Sequence, residues 1–166
     1  MAFEIPSDLN PELVALAWMI GSWEGAGKSS YPGTEDRDFG QRIDISHNGG
    51  DFLHYFSQTF EVDEEGKATK PLEMETGFWR PQRDASLEVV MSHPSGVVEI
   101  WYGHISGAKI ELATDAVART KTAPDYTAGH RLYGNVESDL LWTFDRAAEG
   151  HPLQSYQWGR LKRVSS

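Results

Sequence analysis

Gly21-Ser22-Trp23-Glu24-Gly25-Ala26-Gly27, followed by Tyr31-Pro32, is the stretch that decides the fold. An aromatic residue set among three glycines suits the first strand of a small barrel. The Trp fills a closed end, while Gly lets the backbone bend or admits a neighbouring strand closely. On residues alone, the motif is a bent strand carrying a core Trp.

Upstream, Asn10-Pro11-Glu12 reads as a helix start, with Asn as N-cap, Pro at the first helical position and an acid in the first turn. Leu13, Leu16, Ala17 and Ile20 then share one face, and Gly21 stops the helix, predicted over about 11–20. Its expected job is to lid one end of the barrel. Residues 1–10 read as extended.

Downstream, every segment reads as strand or turn. Phe39–Ser46 alternates apolar and polar residues, Asn48-Gly49-Gly50 is a hairpin turn, and Phe52–Val62 returns. Further strands are expected over Pro71–Arg80, Ser86–Ser92, Gly96–His104, Lys109–Ala113, Ala116–Thr122, Gly129–Val136, Leu140–Asp145 and Leu153–Val164. About ten short strands with one helical segment predict an all-β fold, and closure removes exposed edges. The expected architecture is a closed antiparallel β-barrel of about ten strands, forming one domain over 1–166 with the barrel at about 22–164.

Bulk properties narrow the function. The 166 residues suffice for a closed core. A net charge of −10 argues against nucleic acid or an anionic membrane as partner. No segment approaches the ~18 apolar residues of a membrane span. The absence of cysteine excludes disulfides and thiolate chemistry. With no signal-like leader at the N-terminus, it predicts a cytoplasmic location.

Motifs for chemistry are scarce. Gly25-Ala26-Gly27-Lys28-Ser29 resembles the tail of a phosphate loop, but it follows a helix and opens a strand, the reverse of what phosphate cradling needs. Asp63-Glu64-Glu65-Gly66 lacks the alternating ligands of a calcium loop and reads as a solvated turn. The histidines at 47, 54, 93, 104, 130 and 151 show no metal-pair spacing, and His93, before Pro94 in a turn, is expected to be exposed. Glu73 and Glu75 share a strand face. The aromatics Trp23, Phe56, Phe78, Trp79, Trp101, Tyr133, Trp142, Tyr156 and Trp158 either line a ligand pocket or fill the core.

Several blocks in order resemble the nitrobindin family of haem-binding β-barrels. These are Leu13–Met19 with Gly21, Trp23, Gly25 and Gly27; Tyr31-Pro32; Ile43–Gly49; Glu75-Thr76-Gly77-Phe78-Trp79-Arg80; and Ser92-His93-Pro94-Ser95-Gly96-Val97-Val98-Glu99. The resemblance implies a ten-stranded barrel shaped like fatty-acid-binding proteins, with ferric haem b in a wide cleft. It also implies nitric oxide binding and peroxynitrite isomerisation. It marks Gly21, Trp23, Gly25, Gly27, Thr34 and Tyr156 as cofactor-binding positions.

The C-terminal block, Pro152 to Val164, departs from the family: Tyr156 falls where the ligating His is expected. Tyrosinate is a known haem ligand, at a cost of about 4 kcal/mol to ionise a free phenol at pH 7. In a regular strand Arg160 and Lys162 would share its face and lower that cost, and Trp158 would crowd the haem space. Alternatively Tyr156 packs in the pocket wall with its hydroxyl hydrogen-bonded. Three functions stay open: a cleft for haem or another apolar ligand without the family's chemistry, an active ferric haem protein using Tyr156 or another axial ligand, and a fatty-acid-type carrier. Oligomeric state is open, a homodimer included.

Overall fold

Each run of alternating residues becomes a strand in the computed structural model, which describes residues 4–166. The strands are β1 (Gly21–Ser29), β2 (Arg37–Ser46), β3 (Leu53–Val62), β4 (Ala68–Pro81) and β5 (Ser86–Ser92). They continue as β6 (Val97–Ser106), β7 (Lys109–Arg119), β8 (Tyr126–Val136), β9 (Asp139–Ala148) and β10 (Gln154–Ser165). Each pairs antiparallel with its successor and β10 pairs back onto β1, so the sheet is a closed ten-stranded barrel.

One expected boundary is absent. The runs 109–113 and 116–122 are a single strand, β7, with a bulge: Ile100 pairs with Ala116 and Trp101 with Thr114, leaving Asp115 unpaired. A bulge shifts the alternation by one residue and so imitates a strand end in sequence.

Of the stretch expected to be extended, residues 1–3 lie outside the described residues, and Ser7-Asp8 form a turn, with Leu9 N–H donating to the Pro6 carbonyl. Asn10 caps the next element as expected, its Oδ1 accepting from Glu12 N–H at 2.9 Å. That element, Pro11–Met19, is a 3₁₀ helix. Three residues per turn align Leu13, Leu16 and Met19, all fully buried, so Met19 joins the expected apolar face. Gly21 does not stop the helix; it opens β1, and Ile20 already has extended backbone.

The helix closes one end of the barrel. The Trp23 indole N–H donates to the Met19 carbonyl (2.9 Å). Arg163 of β10 donates to the carbonyls of Trp18 and Ile20, satisfying acceptors that the helix C-terminus leaves open, and its guanidinium lies 4.2 Å from the Trp23 ring centre. Tyr55, Trp79 and Tyr133 continue this core, Trp79 stacking on Tyr55 (5.4 Å) and meeting Tyr133 edge-on (5.1 Å).

Two glycines make closure possible. A Cβ at Gly25 would strike the Arg160 carbonyl, and one at Gly27 would lie 2.5 Å from Phe39 Cζ. Lys28, the phosphate-loop lysine considered above, sits within β1 and pairs with Asp38 at 2.8 Å. The Asp63 carboxylate accepts from the N–H groups of Glu65 and Lys67, closing the turn that resembled a calcium loop. Among the described residues no helix is long and apolar enough to cross a membrane.

Trp23 is fully buried, so Trp23→Ala should lower unfolding free energy by about 3–5 kcal/mol. Urea denaturation followed by circular dichroism measures this. A loss below about 1 kcal/mol would contradict a load-carrying role for Trp23 at the closed end.

Candidate functional site

The opposite end of the barrel opens into a cavity of ≈ 830 Å³, within the usual size range of small-molecule sites. Its wall takes residues from the start of β4, the β5–β6 turn, the start of β8, the end of β9 and the start of β10. Apolar surface comes from Leu72, Val97, Tyr126, Trp142, Phe144 and Tyr156.

Tyr156 reaches the cavity through an irregularity. Ser155 pairs with Asp145 and Gln157 with Phe144, so Tyr156 is an extra residue in β10. Both Tyr156 and Gln157 line the cavity, and alternation resumes with Trp158 facing outward and Leu161 inward. This bulge overturns the expectation built on a regular strand. Arg160 and Lys162 lie on the outer face, paired with Asp139 at 2.6 and 3.2 Å, and Trp158 does not crowd the cavity.

The cation beside Tyr156 is Arg146, whose guanidinium sits 3.6 Å from its ring centre. The phenol donates to Glu73 Oε1 at 3.4 Å. Burial, reinforced by the Glu73 charge, pushes the Tyr156 hydroxyl up to about 12, so it stays a neutral phenol at pH 7.

Tyr31 supports this corner from behind. Its hydroxyl donates to the Arg146 carbonyl (3.1 Å) and accepts from Ala148 N–H (3.1 Å), and its ring meets Tyr156 edge-on at 5.6 Å. Thr34 is exposed and does not line the cavity; its hydroxyl donates to the Tyr31 carbonyl (2.9 Å), holding the loop that carries Tyr31. Gly21, Trp23, Gly25 and Gly27 do not line the cavity either; they build the closed end and the β1–β10 seam.

The floor is polar and almost closed to solvent. Arg131, 2% exposed, donates to Glu75 (2.6 Å) and to the Tyr133 hydroxyl (3.0 Å), and lies over the Phe144 ring at 4.2 Å. Glu99, 1% exposed, is held by His93 Nε2 and by the Tyr126 hydroxyl at 2.6 Å. Gln41 accepts from the Trp142 indole (2.8 Å) and donates to Ser57 (2.9 Å). His93 is therefore not exposed, as its turn position suggested, but largely buried against Glu99. Burial disfavours its charged form, yet the Glu99 hydrogen bond and the charges of Glu75 and Glu99 outweigh this and raise its pKa. Burial likewise opposes ionisation of Glu99, and its bonds to His93 and the nearby Arg131 charge overcome that and hold its pKa low.

Of the nine aromatics weighed as pocket or core, Trp142 and Tyr156 line the cavity. Trp23, Trp79, Trp101 and Tyr133 fill the core, while Phe56, Phe78 and Trp158 alternate with inward residues and face outward. The charged wall, Glu73, Glu75, His93, Glu99, Arg131 and Arg146, has no signature in sequence as a set because its members come from four strands and one turn. Only the shared face of Glu73 and Glu75 was a local signal.

Residues 12–163 match the family model described as a THAP4-like, haem-binding β-barrel domain. This chain belongs to the nitrobindin family. It is 56% identical over 165 residues to a ferric nitrobindin-like protein of Cutibacterium acnes, covering 98% of this chain and 99% of that protein. A protein of Nocardioides named peroxynitrite isomerase is 44% identical, with 98% and 99% covered. The crystal structure of Rv2717c from M. tuberculosis superposes with a TM-score of 0.85 at 34% identity, covering 93% of this chain and 98% of that one. In this nitrobindin barrel the family's Tyr-Pro supports the cavity wall, and its His-Pro turn delivers His93 to the floor.

Because folding raises the His93 pKa above its ordinary 6.5, the Glu99 bond contributes fully below pH 6.5 and is lost as pH rises through the folded value. Glu99, held below its ordinary 4.5, contributes above that pH and loses its contribution as pH falls through its lowered value. Near pH 6, His93→Gln should cost about 1.5–3 kcal/mol, shrinking at alkaline pH. Urea titrations of both proteins across pH test this; an equal loss at all pH values would show that His93 acts by packing alone.

Proposed function

We propose that the cavity holds a haem-sized apolar ligand and that this chain is a binding barrel without the family's ferric haem chemistry. One observation carries the reading. At the position where the family resemblance places the ligating His, the chain presents Tyr156, a neutral phenol bonded to a carboxylate. A tyrosine ligates iron as tyrosinate, and both burial and Glu73 oppose that ionisation. The cavity's size and aromatic wall suit a broad, flat apolar molecule such as a porphyrin. The residue at 156 does not suit the iron.

A second reading, an active ferric haem protein, has support in the 44% identity to the Nocardioides protein named peroxynitrite isomerase. Arg146 over the Tyr156 ring also favours tyrosinate, though less strongly than Glu73 opposes it.

A ferric haem titration followed at the Soret band separates the readings. On the binding-barrel reading, wild type and Tyr156→Phe titrate alike, and Tyr156→His gains a His-ligated ferric spectrum with affinity raised by about tenfold or more. A saturable Soret shift in wild type that vanishes in Tyr156→Phe would establish tyrosinate ligation and overturn the first reading.

A further inference from the structure

We propose that Arg146 makes the cavity a receptor for the carboxylate of an amphipathic ligand. The inference rests on the reading of the cavity as a ligand site and names the chemistry of what fills it.

Arg146 lines the cavity from β9, and its guanidinium packs into the corner of two rings that meet edge-on, 3.6 Å from the centre of Tyr156 and 4.3 Å from that of Tyr31. Contact with both rings holds the group against the cavity wall. Its Nε is buried and has no hydrogen-bond partner. Among the described residues no carboxylate pairs with it, whereas the other two cations of the wall are spoken for: Arg131 by Glu75 at 2.6 Å and Lys70 by Glu61 at 3.6 Å.

Arg131 Nε is likewise buried without a partner, so what sets Arg146 apart is that, among the described residues, no carboxylate sits on its guanidinium. A planar fork held rigid and unpaired is the arrangement that receives a carboxylate in two parallel bonds. The acids of the wall do not fill that place. Glu75 is tied to Arg131, Glu99 to His93 and Tyr126, and Glu73 accepts from Tyr156.

The rest of the ligand is set by the wall beyond Arg146. Phe144, Trp142, Leu72 and Val97 offer an apolar bed, so the anion is the head of an apolar body rather than a free small ion. Two sources supply that chemistry: a long-chain fatty acid, and a porphyrin bearing propionates. The whole protein carries a net charge of −10, so its general field repels anions. A preference for an acid over its neutral counterpart is then a local property of the site.

The test uses the full chain, freed of bound lipid, and two matched pairs: oleate with oleyl alcohol, and metal-free protoporphyrin IX with its dimethyl ester. Leaving out the metal separates the question from iron ligation. Binding is read as quenching of tryptophan fluorescence, Trp142 being in the wall. The acid of at least one pair should bind about tenfold tighter or more than its neutral partner, as expected for a charge-assisted pair. The pair showing the preference assigns the source.

Arg146→Gln should reduce that preference to less than about twofold while the neutral partner binds as before, and Arg146→Lys should keep part of it. Equal binding of acid and neutral partner in wild type, or a preference that survives Arg146→Gln, overturns the carboxylate assignment and leaves the cavity reading standing. No binding of any of the four to folded wild type overturns the cavity reading and this inference with it. If Arg146→Gln fails to fold, the wild-type comparison and Arg146→Lys still decide.

Discussion

Closure of β10 on β1 is the contact on which the rest of this barrel depends. A ten-stranded sheet left open would expose two long edges, and joining them demands that the last strand approach the first closely. Gly25 and Gly27 provide the room, since any side chain there would strike Arg160 or Phe39. From that seam Arg163 reaches the helix carbonyls and covers Trp23, so one pairing both seals the sheet and anchors its lid. The motif that resembled a cofactor fingerprint is, in its physical role, a closure device.

The same strand also has to serve the cavity, and it does so by breaking its own register. The bulge at Tyr156 releases the open half of β10 from the alternation imposed by the closed half. Two consecutive residues, Tyr156 and Gln157, then face the ligand space, while Trp158, Arg160 and Lys162 stay on the outer surface. A regular strand would have placed two cations beside the phenol and favoured its ionisation. The bulged strand places Glu73 and Arg146 there instead, with the opposite net effect on the Tyr156 hydroxyl.

The two ends of the barrel are built on different physics. The closed end is an aromatic core whose polar atoms are few and carry no charge apart from Arg163, which bonds the helix carbonyls. The open end buries Arg131 and Glu99 and half-buries Glu75, groups whose desolvation a well-packed apolar core would avoid altogether. Stability alone does not account for such a floor. The proposed ligand site would use it, because fixed charges and hydroxyls in a poorly solvated space discriminate strongly between one headgroup and another.

The fold and family were legible in sequence because both rest on local chemistry: alternation of period two, hairpin turns such as Asn48-Gly49-Gly50, a capped helix start at Asn10, and motif blocks in a fixed order. Strand ends were less legible, since the bulge at Asp115 imitates a break. The cavity was scarcely legible at all. Its wall gathers side chains far apart in the chain, as in the meeting of Tyr31, Arg146 and Tyr156, and no spacing rule links them. The face on which Tyr156 lies depends on one unpaired residue in β10, and register of that kind is settled by how both neighbouring strands pair. Alternation along the chain therefore determined that a barrel forms, and only closure of the barrel decided which side chains meet inside it.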